Sequence, residues 1–348
     1  MKEFIISNYL FLLVLYSFSQ EWVIEEMAPM PERVTNNAVA AGFINRDSFV
    51  FTFGGLDYTK KYSGIHLRSY KYNINMDQWA QIPSLPDTLG KIATSASRVG
   101  NIIYIMGGYY VFQDGTELSS NKVHRYNIEN NRYLEDGIPI PLQIDDQVQA
   151  VWKDSLIYLI TGWSDTENQP NVQIYNPALN SWMVGDPIPD NHQYKSFGAS
   201  GVIIGDTIYY FGGAAYQKFY PAQNQLRIGV INPKDPSEIK WSIKILKEDL
   251  FGYRTAATAV NEIVYWIGGS QITYNYNGIA YNGTGGVEPS NHCVSYNTEI
   301  GQWEIQSNLD VPMDLRNLAE ISSTIKYIVG GIEKGQKVSN KILKLTLE

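Results

Sequence analysis

The sequence predicts an all-β fold made of six similar units, and two observations lead to that prediction. A short apolar run ending in two glycines occurs five times among the 348 residues, and a degraded copy occurs at Thr161-Gly162. Successive copies lie 51 to 62 residues apart, measured at the first position of each pair: Gly54, Gly107, Thr161, Gly212, Gly268 and Gly330. A period of this length built on short strands indicates a radially repeated β architecture.

A second motif recurs inside each unit. An aromatic or aliphatic residue followed by Asn ends an extended segment in five units: Tyr72-Asn73, Tyr126-Asn127, Tyr175-Asn176, Ile231-Asn232 and Tyr296-Asn297. Leu345-Thr346 is the imperfect sixth copy. Another aromatic residue follows six to ten residues later, at Trp79, Tyr133, Trp182, Trp241 and Trp303. Together these motifs resemble those of the kelch family, which implies a six-bladed kelch-type β-propeller.

Each blade is predicted to contain four antiparallel strands. The innermost strand is small and apolar, as in residues 38–41 and 255–259, which suits a crowded central axis. The second strand carries the glycine pair, where glycine permits positive φ and close backbone approach. Polar turns such as 45–47 and 205–206 join the two strands as hairpins.

The last repeat lacks an outer strand at the C-terminal end of the chain. Trp22, followed by Pro29-Met30-Pro31, has the pattern of that missing strand near the other end. We therefore expect the segment at Trp22 to pair with the strand containing 342–345. Such pairing would close the ring and remove two free sheet edges. Residues 20–348 then form a single propeller domain.

Residues 1–19 have the pattern of a secretion signal peptide. Lys2 supplies a positive charge, residues 9–16 are apolar, and Ser17-Phe18-Ser19 fits a cleavage site. The alternative is a membrane anchor, but the apolar run is short for a span of about 20 residues. We expect cleavage before Gln20, export to the periplasm or the extracellular space, and no membrane span afterwards.

Composition argues against several classes of function. A net charge of −8 argues against nonspecific nucleic-acid binding. Cys293 is the one cysteine, which excludes an intrachain disulfide and a Cys-rich zinc site. The four histidines show no pair at metal-ligand spacing, and His124 is expected to pack inside a third strand. We expect no metal and no cofactor.

The loops that follow the glycine pairs are the first candidate for a binding surface. Resemblance to kelch proteins implies that these loops and the linkers between blades share one face. The longest, 270–291 in blade 5, carries Tyr274, Tyr276 and Tyr281, and the blade 4 loop carries Tyr216. Tyrosine with Asn and Gly is typical of binding loops. The alternative is that these tyrosines cover the mouth of the channel.

Basic residues form the second candidate, because one precedes the inner strand in five blades: Arg33, Lys91, Lys195, Arg254 and Arg316. Blade 3 has Asp145-Asp146 instead. Blades 1, 5 and 6 are neighbours in a closed ring, so their three arginines could converge on a carboxylate, which Arg binds bidentately. The alternative is structural, with basic residues bonding carbonyls of adjacent blades.

These patterns favour an exported binding module for a glycan, an acidic sugar or a protein partner. The expected ligand-binding residues are Arg33, Arg254, Arg316, Lys195, His192, Tyr216, Tyr274 and Tyr276. An enzyme is the less favoured alternative: a sugar-acid isomerase resembling the sialic acid mutarotases, with His192, Asp145 or Asp146 moving protons. No motif of that family's catalytic residues matches here. A pure scaffold is the third hypothesis.

Overall fold

The computed structural model describes residues 20–246 and 250–348, so the expected signal peptide lies outside the described residues. Within them, the chain forms six four-stranded antiparallel sheets whose inner strands contact one another around a ring. Tyr62–Gly64 is a 3-10 turn, and no helix among the described residues is long and apolar enough to cross a membrane. The prediction of an all-β, six-bladed propeller is confirmed.

The strands of each blade follow in order from the axis outward, with hydrogen bonds between neighbours. Blades 1 and 2 comprise Ala38–Ile44, Asp47–Leu56, Ile65–Asn73 and Gln78–Ile82, then Ile92–Val99, Ile102–Val111, Val123–Asn127 and Arg132–Tyr133. Blades 3 and 4 comprise Val148–Trp152, Leu156–Ile160, Val172–Asn176 and Ser181–Gly185, then Phe197–Ile204, Thr207–Ala214, Gln225–Asn232 and Asp235–Ile245.

Blades 5 and 6 complete the ring in the same order. They comprise Ala256–Val260, Ile263–Ile267, His292–Asn297 and Gln302–Ser307, then Ala319–Glu320, Ile325–Val329, Ile342–Leu347 and Trp22–Glu26. Short extra strands extend the loops of blades 2, 3 and 6 at Glu117–Ser119, Trp163–Ser164 with Glu167–Asn168, and Ile332–Glu333 with Lys337–Val338.

The N-terminal strand closes the ring, as the sequence predicted. Trp22 lies opposite Leu347 and Ile24 lies opposite Leu345 in an antiparallel register. The side chain of Gln306, in blade 5, bonds both the N–H and the carbonyl of Trp22. The outer strand of blade 6 is therefore anchored to its own sheet and to the neighbouring blade.

A hydrophobic cluster fills the space between each pair of neighbouring blades in the described chain. The recurrent aromatic positions belong to this packing. The Tyr175 ring lies 5.0 Å from that of Trp182, and the Tyr296 ring lies 4.8 Å from that of Trp303. Such contacts contribute roughly 0.5–1.5 kcal/mol beyond the area they bury. The repeated motifs therefore mark the core of the fold.

The glycine pairs permit close contact between successive blades. A Cβ atom on Gly212 would lie 1.9 Å from the carbonyl oxygen of Gly252, in the linker to the next blade. Thr161 occupies this position in blade 3 with a φ of 49°, and its hydroxyl bonds both backbone groups of Ser196 at 3.0 Å. The degraded repeat thus replaces one backbone contact with two side-chain hydrogen bonds.

A ring of left-handed residues surrounds the axis where each linker leads into its inner strand. Their φ angles are between 50° and 67°, at Asn36, Ala93, Asp146, Gly198, Arg254 and Asp314. Backbone hydrogen bonds pass from blade to blade through this ring: Asp146 N–H to Ala93, Gly198 N–H to Asp146, and Arg254 N–H to Gly198. The ring therefore fixes which side chains meet at the axis.

Candidate functional site

Four charged side chains of the ring and its flank, Arg254, Arg316, Asp146 and Asp314, form what we call the axial cluster. Arg254 Nη2 lies 2.8 Å from Asp146 Oδ2, and its Nη1 lies 3.1 Å from Asp314 Oδ1. Arg316 also bonds Asp146, which joins blade 6 to blade 3 on the opposite side of the ring. The cluster therefore lies across the axis.

The axial cluster is buried and internally neutralised. Arg254 is 1% exposed, and Asp314 also accepts a hydrogen bond from the Thr35 hydroxyl at 2.7 Å. Burial lowers the pKa of Arg316 to about 10, so this guanidinium still carries its charge at neutral pH. Two cations face two carboxylates, and Asn36 accepts a further hydrogen bond from Arg316 Nε at 2.7 Å. These contacts connect the blades.

The other predicted basic residues do not join the axial cluster, which corrects the expected convergence of three arginines. Arg33 is exposed, and its guanidinium reaches the Val338 carbonyl at 3.5 Å. Lys195 pairs with Asp190 at 2.7 Å, and the His192 side chain is exposed. Arg254 alone among the basic residues occupies the left-handed ring position. The basic residues that share a position in the sequence repeat therefore lie in different places in the structure.

Lys91 belongs to a separate buried network between blades 1 and 2. Its Nζ lies 3.2 Å from Asp87 Oδ2 and 3.0 Å from His124 Nε2, and burial lowers its pKa to about 8. His124 lies in the third strand of blade 2 and bonds Asp136 through Nδ1 at 2.9 Å. The described residues contain no group of three or more His, Cys, Asp or Glu arranged to hold a metal ion.

A cavity of about 90 Å³ opens on the face that carries the post-glycine loops and the linkers, which we call the loop face. Its lining comes from blades 2 to 5, whereas the sequence pattern indicated blades 5, 6 and 1. The residues that line it are Tyr109, Glu117, Asp145, Asp146, Trp163, Phe197, Tyr220, Arg254, Asn275 and Tyr281. We call it the aromatic cavity.

Four rings form the wall of the aromatic cavity in edge-to-face and tilted contacts. Trp163 lies 5.5 Å from Phe197 and 5.8 Å from Tyr220, and Tyr220 lies 4.8 Å from Tyr281, measured between ring centroids. Tyr216 contacts Trp163 at 5.6 Å and is 50% exposed at the rim. The loops of blades 3, 4 and 5 therefore build one continuous aromatic surface.

The blade 4 loop holds its aromatic residues in an unusual backbone conformation. Phe219 and Tyr220 have φ angles of 64° and 48°. Bulky residues rarely adopt this region, which costs roughly 1–3 kcal/mol at each position. The Thr273 hydroxyl of blade 5 donates a hydrogen bond of 2.6 Å to the Tyr220 carbonyl. Contacts from the neighbouring loop thus help to hold Tyr220 against the cavity.

Two acids at the aromatic cavity differ from those of the axial cluster. Asp145 is 3% exposed; it pairs through its backbone with Trp163 and accepts a hydrogen bond from the Ser119 hydroxyl at 2.6 Å. Burial raises the pKa of Asp145 to about 7, and the charge of Glu117 adds to the rise. Glu117 lies at the exposed rim, yet desolvation by the surrounding loops raises its pKa as well.

The predicted tyrosines have mixed positions. Tyr274 is fully buried and packs 5.2 Å from the Arg254 guanidinium, below the cavity. Tyr276 is partly buried against a small cluster that includes Tyr109. The sequence pattern missed Glu117, Trp163, Phe197 and Asn275. Trp163 follows the degraded glycine pair directly, which is the one signal that could have indicated it.

Comparison with known proteins agrees with this fold. No protein-family model matches the sequence. Kelch-like protein terF of Aspergillus terreus is 27% identical over 151 residues, which cover 40% of this chain and 31% of that protein. Kelch-like protein 15 of Homo sapiens is 24% identical over 280 residues, which cover 76% of this chain and 41% of that protein. The chain thus spans less than half the length of these relatives.

A solved structure, that of YjhT, is similar in fold. It superimposes with a TM-score of 0.72 at 16% sequence identity, over 92% of this chain and 99% of that one. At this identity the likeness concerns the fold alone. The repeated motifs, the closed ring of six blades and these similarities agree: the chain is a six-bladed β-propeller that resembles the kelch-like proteins.

Proposed function

We propose that this protein is a binding module whose loop face docks a protein partner, with one partner side chain entering the aromatic cavity. The observation that carries this proposal is the aromatic cavity itself, together with exposed apolar side chains in the loops that line it. The propeller fold hosts many functions, so the function has to be inferred from the site.

Exposed apolar side chains flank the cavity-lining residues in sequence. Phe112 and Leu118 lie beside Glu117, Tyr216 and Phe219 precede Tyr220, and Ile272 and Ile279 lie on either side of Asn275. Each of these six is at least 37% exposed. Protein interfaces are enriched in aromatic side chains and depleted in charge at their centres. A concentration of such residues around a cavity is typical of a docking surface.

The size of the cavity favours a side chain over a whole free ligand. Its volume is about 90 Å³, whereas pockets for drug-sized molecules begin near roughly 300 Å³. Binding hot spots commonly consist of one anchor residue inserted into such a pocket. A protein partner that supplies one anchor and covers the surrounding apolar rim would use both features.

An acidic sugar is a less favourable ligand than the sequence suggested. Arg254 and Arg316 are already paired with Asp146 and Asp314, so neither presents an uncompensated positive charge. The acids that remain at the cavity, Asp145 and Glu117, would repel a carboxylate when ionised.

A sugar isomerase remains the second candidate, supported by Asp145. A general acid or base works best with a pKa near the working pH, and burial places that of Asp145 at about 7. This hypothesis predicts faster exchange of sugar anomers, measured by NMR, and a loss of that rate in Asp145→Asn. Unchanged exchange rates with neutral and acidic sugars would exclude it.

Export belongs to the proposal and rests on the pattern of residues 1–19 alone. Mass spectrometry of the protein from its source should give a mature chain beginning near Gln20. An exported form that retains Met1 would contradict cleavage.

The docking proposal can be tested by comparing matched surface variants. Tyr216→Ser with Phe219→Ser alters the rim of the cavity, and Leu179→Ser with Val184→Ser removes more exposed apolar groups from the outer part of blade 3. A partner cross-linked to the parent and to the blade 3 variant should be lost from the rim variant. Equal recovery with all three proteins, or recovery with none, would contradict the proposal.

The same three proteins can be applied to a glycan array. If the parent binds a glycan and only the rim variant loses that binding, the ligand of the loop face is a carbohydrate and not a protein.

A further inference from the structure

We propose that the aromatic cavity takes a compact organic cation, an alkylammonium group such as the end of a lysine side chain. This inference rests on the proposed function, in which a partner inserts one side chain, and it names the chemistry of that side chain. It follows from three separate features: the balance of charge, the hydrogen bonding of the Asp145 carboxylate and the arrangement of the rings.

The charges at the bottom of the cavity leave an excess of carboxylate. Arg254 contributes to the lining, but Asp146 and Asp314 both bond it within 3.1 Å. Across the axial cluster, two guanidinium groups balance two carboxylates. Glu117 and Asp145 are the further charged residues that line the cavity, and no ion pair links either to a basic side chain among the described residues. A ligand with a positive charge would balance them.

Asp145 is a buried acid that lines the cavity. The residue is 3% exposed, and the side-chain bond found for it within the described chain is the one that Ser119 donates to Oδ2. No side-chain hydrogen bond or ion pair is found for its Oδ1 among the described residues, and Asp145 lines the cavity. A carboxylate withdrawn from water gains most from a charged donor, because hydrogen bonds between ions are about twice as strong as neutral ones.

The aromatic wall presents the second attraction for a cation. Trp163, Phe197, Tyr220 and Tyr281 enclose the cavity with centroids 4.8 to 6.3 Å apart. The face of an aromatic ring is negative and attracts a cation within about 6 Å of its centroid, and rings grouped around one point bind quaternary and alkylated ammonium groups. The rings also accommodate the methylene chain that carries the ammonium.

The affinity for the cation should depend on pH through Asp145. Burial raises its pKa to about 7, so a proton occupies it at pH 6 and has left at pH 8. The charged and titratable groups that face it are Glu117, Asp146, Arg254, Arg316, Tyr109, Tyr220 and Tyr281. Tyr281 has a pKa of about 12 and Arg316 one of about 10, so these two keep their charge state over this range. Ionisation of Glu117 would act in the same direction as that of Asp145.

The experiment is an NMR titration of the folded protein with n-butylammonium chloride, and with n-butanol as the neutral probe of similar shape. We expect butylammonium to cause saturable shifts of the Trp163 indole N–H signal. The Kd should be millimolar, because a ligand with so few atoms can gain only a small binding free energy. The affinity for butanol should be lower by at least about tenfold. For the parent protein, the ammonium affinity should rise between pH 6 and pH 8.

Asp145→Asn keeps the shape of the side chain and can still accept the Ser119 bond, so it removes the charge alone. We expect about tenfold weaker ammonium binding at pH 8 and a flatter pH dependence. Glu117→Gln, at the rim, should weaken binding less. Asp114→Asn changes an exposed acid on the same blade 2 loop, outside the cavity lining, and should bind like the parent. Equal binding of butanol and butylammonium, or full affinity in Asp145→Asn, would overturn the inference.

Two further arms separate this inference from the docking proposal. Peptides containing one lysine, or acetyl-lysine in its place, test whether the ammonium can come from a protein. If the free amine binds but the lysine peptide does not, the source is a small amine and the docking proposal loses support. If a partner is lost from the Tyr216/Phe219 rim variant but butylammonium does not bind, docking stands and the cation site is wrong.

Discussion

Asp145 and Asp146 are adjacent in the chain and both line the aromatic cavity, yet their carboxylates bond different partners. Asp146 lies in the axial cluster, where its two carboxylate oxygens bond Arg254 and Arg316. Asp145 lines the aromatic cavity and accepts a hydrogen bond from Ser119. Both residues are almost fully buried: Asp145 is 3% exposed and Asp146 is 4% exposed. Burial is therefore the same, and the difference lies in the partners.

This difference distinguishes architecture from binding. A buried charge with full partners connects the blades that it bonds, and losing one partner leaves an uncompensated charge. A buried acid that lacks a cationic partner costs stability, and such groups cluster at functional sites. The axial cluster accordingly explains how blades 3, 5 and 6 are held together, and the aromatic cavity is where a ligand would gain free energy.

The largest effect should come from opening the ring, which disturbs both regions together. Deletion of residues 20–26 removes the outer strand of blade 6, including Trp22, which is 2% exposed in the core between blades 5 and 6. We expect a steep fall in Tm, followed by thermal denaturation and circular dichroism. A truncated protein that melts like the parent would contradict closure by this strand.

The second effect concerns the ion pairs of the axial cluster. Arg254→Met keeps much of the side-chain volume but leaves Asp146 and Asp314 without one of their cations. Breaking a buried ion pair costs about 3–5 kcal/mol, and chemical denaturation measures it. Arg33→Met, at the exposed arginine of blade 1, is the matched control and should change stability by less than about 1 kcal/mol. Equal losses in the two variants would show that the cluster has no special role.

The third effect is a pH dependence that belongs to Asp145. Its pKa is about 7 in the folded protein and has an ordinary value of 3.8. Between these values the folded state holds a proton that the unfolded state has released. The free energy of unfolding therefore falls as pH rises from about 4 through 7, by at most about 1.4 kcal/mol per pH unit. Relative to the parent, Asp145→Asn should be more stable at pH 8 than at pH 5. A difference in Tm that is the same at both pH values would contradict this.

The smallest effect is expected at Lys195, which the sequence pattern grouped with the arginines. Its ammonium pairs with the exposed Asp190 at 2.7 Å. Surface ion pairs of this kind contribute roughly 0–1 kcal/mol. Lys195→Ala should therefore leave stability and butylammonium binding nearly unchanged, as calorimetry and NMR would report. A loss of binding would extend the site beyond the aromatic cavity.

The sequence was sufficient for the fold because its signals are repeated. Gly212 permits the close approach of the Gly252 carbonyl, and the same requirement recurs at Gly107, Gly268 and Gly330 in three other blades. Tyr175 packs on Trp182 as its counterparts do in other blades. Even the closing strand could be predicted, because the sixth repeat lacked a residue that Trp22 supplies.

The site was much less predictable, since it arises where the repeats differ. Trp163, Phe197 and Tyr281 come from different blades and meet only when the loops fold together. The left-handed ring decides which linker residue faces the axis. Arg254 occupies a position in this ring, whereas in blade 6 the ring position is Asp314 and Arg316 follows two residues later. Sequence spacing alone therefore grouped Arg33 and Lys195 with residues whose contacts they do not share.

The most direct test of the contrast between the two regions is the free energy of unfolding of Asp145→Asn and Asp146→Asn, measured at pH 8 under identical conditions. The two variants change the same group by the same atoms at neighbouring positions. We predict a loss of about 3–5 kcal/mol for Asp146→Asn, because Arg254 and Arg316 lose a shared carboxylate. Asp145→Asn should lose nothing or gain stability, because it removes a buried acid that forms no ion pair with a basic side chain among the described residues. Equal losses in the two variants, or a larger loss in Asp145→Asn, would contradict the division between axial cluster and aromatic cavity.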